Sequence, residues 1–181
     1  MGVLSEIIYN LLQFVAGLIG GMLLLRFWMQ AIRVRPPNSF GGFVFAVTDW
    51  LVKPLRRVIP GVGGYDWASL LGAFLIAMLF ASAVGLLFGS LTTKAVLVGA
   101  LAVLVNWLYY GLVVIVLLQV AMSWINPHAP QAPFINALTA PLLRPIRRIV
   151  PPIGNVDISP MIMMFVIYVV WRVVMQLITY I

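Results

Sequence analysis

The sequence predicts an all-α membrane protein, with four transmembrane helices forming two parallel two-span repeats. Three observations lead there. First, 64% of the 181 residues are hydrophobic and 8% are charged, whereas a soluble domain carries roughly 25% charged residues. Such a chain cannot cover a water-facing surface, so a soluble globular protein and a disordered one are both excluded. Second, four stretches stay apolar over the ~20 residues that a bilayer crossing requires. Third, the two long polar segments between those stretches carry one pattern twice. The absence of Cys removes disulfides, thiolate metal sites and Cys nucleophiles from consideration.

The first span is expected at 7–25. No basic region precedes it and Glu6 is its first ionisable side chain, so it reads as a retained span rather than a cleaved signal peptide. The second is expected at 67–88, with Ala73, Ala77, Ala81, Gly85 and Gly89 each four residues apart. Together with Gly17 and Gly21 of the first span, these small residues allow close helix approach. The third, at 95–125, is long enough to tilt. The fourth occupies 158–181.

Four spans place both termini on one side and the segments 33–66 and 126–157 on the other. Those segments hold Arg33, Arg35, Lys53, Arg56, Arg57, Arg144, Arg147 and Arg148, eight of the eleven basic residues. The positive-inside rule then puts both segments in the cytoplasm and both termini outside a bacterial inner membrane. Trp28, Trp50, Trp67 and Trp124 fall near the same boundary, as an aromatic belt would.

A shift of 91 residues superposes the two segments. FVFAVTDWLVKPLRRVIPGVGGYD begins at Phe43 and FINALTAPLLRPIRRIVPPIGNVD at Phe134. Thr48 pairs with Thr139, Pro54 with Pro145, Arg56 with Arg147, Arg57 with Arg148, and Asp66 with Asp157; Lys53 pairs with Arg144 in charge. Each half (1–90 and 91–181) is a span, a loop and a span, so the halves run parallel about an axis along the membrane normal.

The doubled P-[LI]-R-R-[VI]-[IV]-P-x-[VI]-G-x-x-D segment, followed by an apolar span, resembles the YggT family, with its YlmG and CCB3 relatives. The resemblance covers nearly the whole chain. It implies a small inner-membrane protein associated with osmotic-stress tolerance and potassium-uptake phenotypes, with plastid and cyanobacterial relatives associated with division, nucleoid distribution or cytochrome assembly. This chain departs from the pattern in places. Gly61 and Gly64 become Pro152 and Asn155 in the second half. The Asn-Pro that opens the family loop stands at Asn126-Pro127 but is replaced by Arg35-Pro36 in the first half.

Within 43–59 the apolar residues Phe43, Val47, Trp50, Leu51, Leu55 and Val58 recur at helical spacing, while Asp49, Lys53, Arg56 and Arg57 share another face. The segment 134–150 repeats this. Each is expected as an amphipathic helix lying on or re-entering the cytoplasmic interface, kinked or divided at Pro54, or at Pro141 and Pro145. Lys53, Arg56, Arg57, Arg144, Arg147 and Arg148 are the candidates for binding anionic headgroups, a cytoplasmic protein partner or a phosphate group. Nucleic acid is not expected, because no reader motif accompanies so few bases.

Asp66 and Asp157 precede spans, where a carboxylate caps a helix; an ion site at a repeat interface is the alternative. Gly61, Gly63, Gly64 and Gly154 are expected in sharp turns. Inside the bilayer, Glu6, Asn10 and Gln13 fall on one face of the first span, at a depth similar to Arg172 and Gln176 of the fourth. A polar cluster joining them is expected in the outer half of the bundle, with snorkelling of Arg172 as the alternative. His128 is isolated, and no catalytic arrangement or metal cluster is visible, so neither enzymatic activity nor a cofactor is expected. The function expected is a membrane scaffold or osmotic-stress tolerance factor acting through two basic interfacial helices. The alternative is a small oligomeric channel or transporter for potassium or another osmolyte, and a homo-oligomer is among the expected assemblies.

Overall fold

The structure, a computed structural model, describes residues 2–59, 61–150 and 157–180. Among these it contains six helices and no strand: α1 (Val3–Ala31), α2 (Asn38–Val58), α3 (Trp67–Phe88), α4 (Thr93–Ile125), α5 (Ala132–Ile149) and α6 (Ser159–Tyr180). Helices α1, α3, α4 and α6 are long and apolar enough to cross a membrane. Most of their large side chains face outward, as lipid-facing side chains do. The chain is an integral membrane protein.

Three boundaries differ from the sequence expectation in ways that matter. The first span does not stop at residue 25; α1 runs on to Ala31 and takes Arg26 inside the helix. The helical segments around 43–59 and 134–150 begin earlier, at Asn38 and Ala132. Prolines do not divide them, since Pro54 lies within unbroken α2 and Pro141 and Pro145 within unbroken α5. Each proline leaves one carbonyl four residues earlier without its helical donor, a loss that a helix on a polar boundary can make good with water.

Helix α1 runs antiparallel to α3. Its C-terminal Gln30 donates to the Gly64 carbonyl just before α3, while Tyr9 near its start packs on Phe80 and Phe88. A turn closed by Gly89 in the left-handed region (φ 68°) sends the chain into α4, which packs on both α3 and α1. Helix α6 packs on α4 and α5. A closed two-fold arrangement of the halves would seat α6 on α1 as α3 is seated on α4. The halves instead lie side by side, with α4 filling the groove between α1 and α3.

Small residues make that groove. Ala73 and Ala77 of α3 are fully buried. At Gly20 of α1 an added Cβ would fall 2.1 Å from the Trp107 ring of α4, so only glycine admits this indole. One buried cluster joins Leu23, Val52, Ala73, Ile76 and Phe80. A second joins Met29 and Val44 to Phe134 and Leu138 where α2 and α5 approach. A third joins Val116, Leu143, Met163 and Ile167. Helices α2 and α5 thus sit at one end of the bundle, the basic end, where α1 and α4 finish and α3 and α6 begin.

Candidate functional site at the basic end

Arg26 follows Leu23 by three residues and precedes Met29 by three, so helical periodicity carries it onto the buried stripe of α1. A buried guanidinium is costly without charged and hydrogen-bonding partners. Helix α2 provides them: Arg26 Nη1 donates to Asp49 Oδ1 at 2.7 Å and to Thr48 Oγ1 at 2.8 Å. Its Nε lies 3.5 Å from Asp66 Oδ2, within Coulomb range though without hydrogen-bond alignment. The Phe45 ring covers it, with Cζ 4.9 Å from the centroid.

Asp49 also pairs with Lys53 one turn on, at 2.9 Å. Asp66 is the N-cap of α3: it accepts from the Ser69 backbone N–H at 3.3 Å and the Ser69 hydroxyl at 2.6 Å. Arg56 reaches across from α2 and donates to both Asp66 oxygens, at 2.6 and 3.2 Å, and to Gln30 Oε1 at 3.2 Å. Gly63 and Gly64, at φ 69° and 84°, make the tight turn that returns the chain to Asp66. The network therefore bolts α2 to the ends of α1 and α3. It borders a cavity of about 660 Å³.

In the second half, Arg147 donates to Asp157 Oδ2 through Nε at 2.9 Å and approaches it through Nη2 at 2.6 Å. Asp157 also accepts from the Ser159 backbone at 2.9 Å. The rest differs. Gln119 follows buried Val116 by three residues, as Arg26 follows Leu23, and Ala140 stands where the 91-residue shift puts Asp49. Gln119 is buried and its Oε1 has no partner among the described residues. With Asn136, Arg144 and Arg147 it lines a cavity of about 520 Å³.

All three aspartates are held below the usual carboxylate range. For Asp49 the Lys53 hydrogen bond is the largest influence, and Arg26 adds to it against burial. For Asp66 burial is the largest influence and pushes upward; donors from Arg56 and Ser69 together outweigh it. For Asp157 burial again pushes upward and is outweighed by donors from Ser159 and Arg147.

Of the basic candidates, Arg56 and Arg147 are thus engaged internally and Lys53 is paired but exposed. Arg57, Arg144 and Arg148 are exposed and have no ion-pair partner among the described residues. The expected intramembrane cluster does not form within the chain. Glu6, Asn10 and Gln13 lie on the outward face of α1, while Arg172 and Gln176 are exposed on α6, which packs on α4 and α5. Asn106 instead accepts from the Trp171 indole at 2.9 Å. Gly154, Pro152 and Asn155 lie outside the described residues. No group of three His, Asp or Glu side chains that could hold a metal occurs among the described residues.

Arg26, Gln30, Ser69 and Gln119 had escaped sequence reasoning. The signal for Arg26 was present: Phe27, Trp28 and Met29 continue the apolar run past it, so the helix could not end at Leu25.

The CCB3/YggT family model matches residues 5–87 and 98–178. The chain belongs to the CCB3/YggT family. It is 38% identical over 151 residues to the "Uncharacterized protein YggT" of Escherichia coli strain K12, covering 82% of this chain and 79% of that one. It is 32% identical over 147 residues to an uncharacterized protein of Haemophilus influenzae, covering 81% and 79%. A Pseudomonas aeruginosa relative, also uncharacterized, is 32% identical over 169 residues, covering 88% and 83%. No solved structure matches. The two stretches matched by the CCB3/YggT model begin 93 residues apart (5 and 98) and end 91 apart (87 and 178).

Proposed function

We propose that this family member is a non-enzymatic membrane scaffold, with a role in osmotic-stress tolerance, that works by holding anionic phosphate headgroups against its basic end. We also infer that its halves are copies of one unit. The family match starts 93 residues apart and ends 91 apart. That difference fits a first loop two residues longer, between Ile32 and Pro36, than its counterpart between Ile125 and Pro127.

The observation that carries the scaffold reading is the unequal use of the arginines. One of each Arg-Arg pair is tied to an aspartate, so α2 and α5 are fixed to the bundle; the other, Arg57 or Arg148, is exposed, as is Arg144. A basic side chain near an anionic surface contributes about 1 kcal/mol. With the basic end in the cytoplasm, as the positive-inside rule favours, these arginines face the anionic leaflet. Between that end and the opposite one the first half is filled by apolar side chains such as Ala16, Ala73, Ile76 and Phe80, which argues against a polar conduit through a single chain.

The test uses the purified protein in nanodiscs of mixed phosphatidylglycerol and phosphatidylcholine, with bound lipid identified by mass spectrometry. Enrichment of phosphatidylglycerol is expected, and its loss in the triple variant Arg57→Gln, Arg144→Gln, Arg148→Gln. Equal lipid ratios in wild type and variant would refute the reading. Potassium flux in proteoliposomes would favour the channel instead.

A further inference from the structure

We propose that copies of this chain associate in the membrane through α1 of one and α6 of the next, with Glu6 set against Arg172 of the second copy. The inference rests on reading the halves as copies and is independent of what the basic end binds.

Helix α4 corresponds to α1 at a shift of 93, and α3 to α6 at a shift of 91. Within the chain, α4 packs on α3 and α1. The second half therefore offers an equivalent seat, made by α6 and α4, that no helix among the described residues occupies. Helix α1 likewise has a face equivalent to the one α4 buries, and that face is bare. Ala100 of α4 is fully buried, whereas its counterpart Ile7 is 51% exposed. Trp107 of α4 packs into the core, whereas its counterpart Phe14 is 71% exposed.

The charges fall where this relation would put them. At the contact of α4 with α3, an added Cβ on Gly99 would lie 3.4 Å from the Ala81 Cβ. The shifts carry Gly99 to Glu6 and Ala81 to Arg172. Two neutral, small residues at an internal contact thus become, at the vacant faces, an acid on one and a base on the other. Asn10 and Gln176 extend each face by one turn. Both charges lie in membrane-spanning helices and face outward, at the end away from the basic helices. Ionisable groups in spans are costly in lipid and usually find partners in protein. Within one chain α6 packs on α4 and α5, so the complementary face is on another molecule. The relation is head-to-tail: each copy uses two different faces.

The chain has no Cys, so the test can be clean. Two differently tagged chains, one Glu6→Cys and one Arg172→Cys, are co-expressed and oxidised in native membranes. A disulfide joining the two tags is expected, with several-fold less product when Ile8→Cys replaces Glu6→Cys. No product, or equal product from positions 6 and 8, would overturn the proposal. So would a chain carrying both cysteines that cross-links only within itself. A charge exchange guards against cysteine artefacts. Glu6→Arg or Arg172→Glu alone should reduce association severalfold in detergent, and the double variant should restore it. Singles that associate like wild type, or a double variant that stays dissociated while its thermal unfolding matches wild type, would count against it.

Discussion

At the basic end of the first half, Asp66 is 1% exposed and serves two arginines; in the second half, Asp157 is 33% exposed and serves one. The shared part is a carboxylate just before a span that accepts a backbone N–H from the start of that span and pairs with an arginine of the preceding helix, at a closest N···O distance of 2.6 Å in both halves. The unshared part is Arg26 with Asp49, whose counterparts are neutral Gln119 and Ala140. Removing both members of an ion pair leaves no uncompensated charge, so the clamp can survive without the buried core of its network. Both corners border a cavity, but the first is lined by the charges of Arg26, Asp49, Lys53 and Arg56, whereas the second has neutral Gln119, whose amide oxygen has no partner among the described residues, beside an exposed Arg144.

The largest break in that contrast is expected from Asp66 and Asp157. Asp66→Asn leaves Arg56 without its counter-ion and Arg26 with Asp49 alone, and should cost about 3 kcal/mol, the lower end of what removing one partner from a buried pair costs. Asp157→Asn, half-exposed and singly paired, should cost about 1 kcal/mol. Denaturant titration in mixed micelles compares them, and equal losses would erase the distinction between the corners.

Next in size is the core of the network. Arg26→Gln strands the donors and acceptors around it and should cost about 1–3 kcal/mol. Combining it with Asp49→Ala recreates the second-half composition. The double variant should then be more stable than the sum of the singles by about 1 kcal/mol, and strict additivity would show that the two residues do not act as a pair.

A pH series sharpens the same comparison. The folded Asp49 and Asp66 carboxyls lie below their ordinary value of 3.8. Protons therefore bind the unfolded chain first. The stabilisation is fully present at neutral pH, begins to fall as pH drops past 3.8, and is gone once pH passes below the folded values. Asp66→Asn should flatten this acid limb, and an unchanged limb would show that the Arg56 and Ser69 donors do not hold Asp66 ionised.

The smallest effect is expected from building the missing acid. Ala140→Asp places a carboxylate four residues before Arg144 and should add about 0.2–0.5 kcal/mol. It should also lower phosphatidylglycerol enrichment, since Arg144 would then be paired. Unchanged enrichment would remove Arg144 from the lipid surface.

Much of this was legible in the residues. Hydropathy alone located all four spans, and the helical spacing of charge from Asp49 to Arg57 located α2. Arg56 and Arg57 could not be told apart by type, because adjacent residues on a helix point about 100° apart and only packing decides which one meets Asp66. Arg26 was lost by ending a span at the first charge, whereas a helix continues through a charge that its neighbours can satisfy. Glu6 and Arg172 were grouped by depth, which a sequence reveals. Whether two spans are adjacent is a matter of packing, and the structure seats α4, not α6, beside α1.

The sequence by itself determined that this is a membrane protein, that it has four helices long and apolar enough to cross, and that its basic residues concentrate in two segments between them. Those properties follow from local composition and period, which need no knowledge of neighbours. Only the tertiary structure decided which arginines are internal clamps and which stand exposed, that Arg26 is buried among three side chains of α2, and that the two halves lie side by side. Each depends on which helix surfaces meet, and those are chosen by glycine and alanine grooves such as the one at Gly20 that admits Trp107.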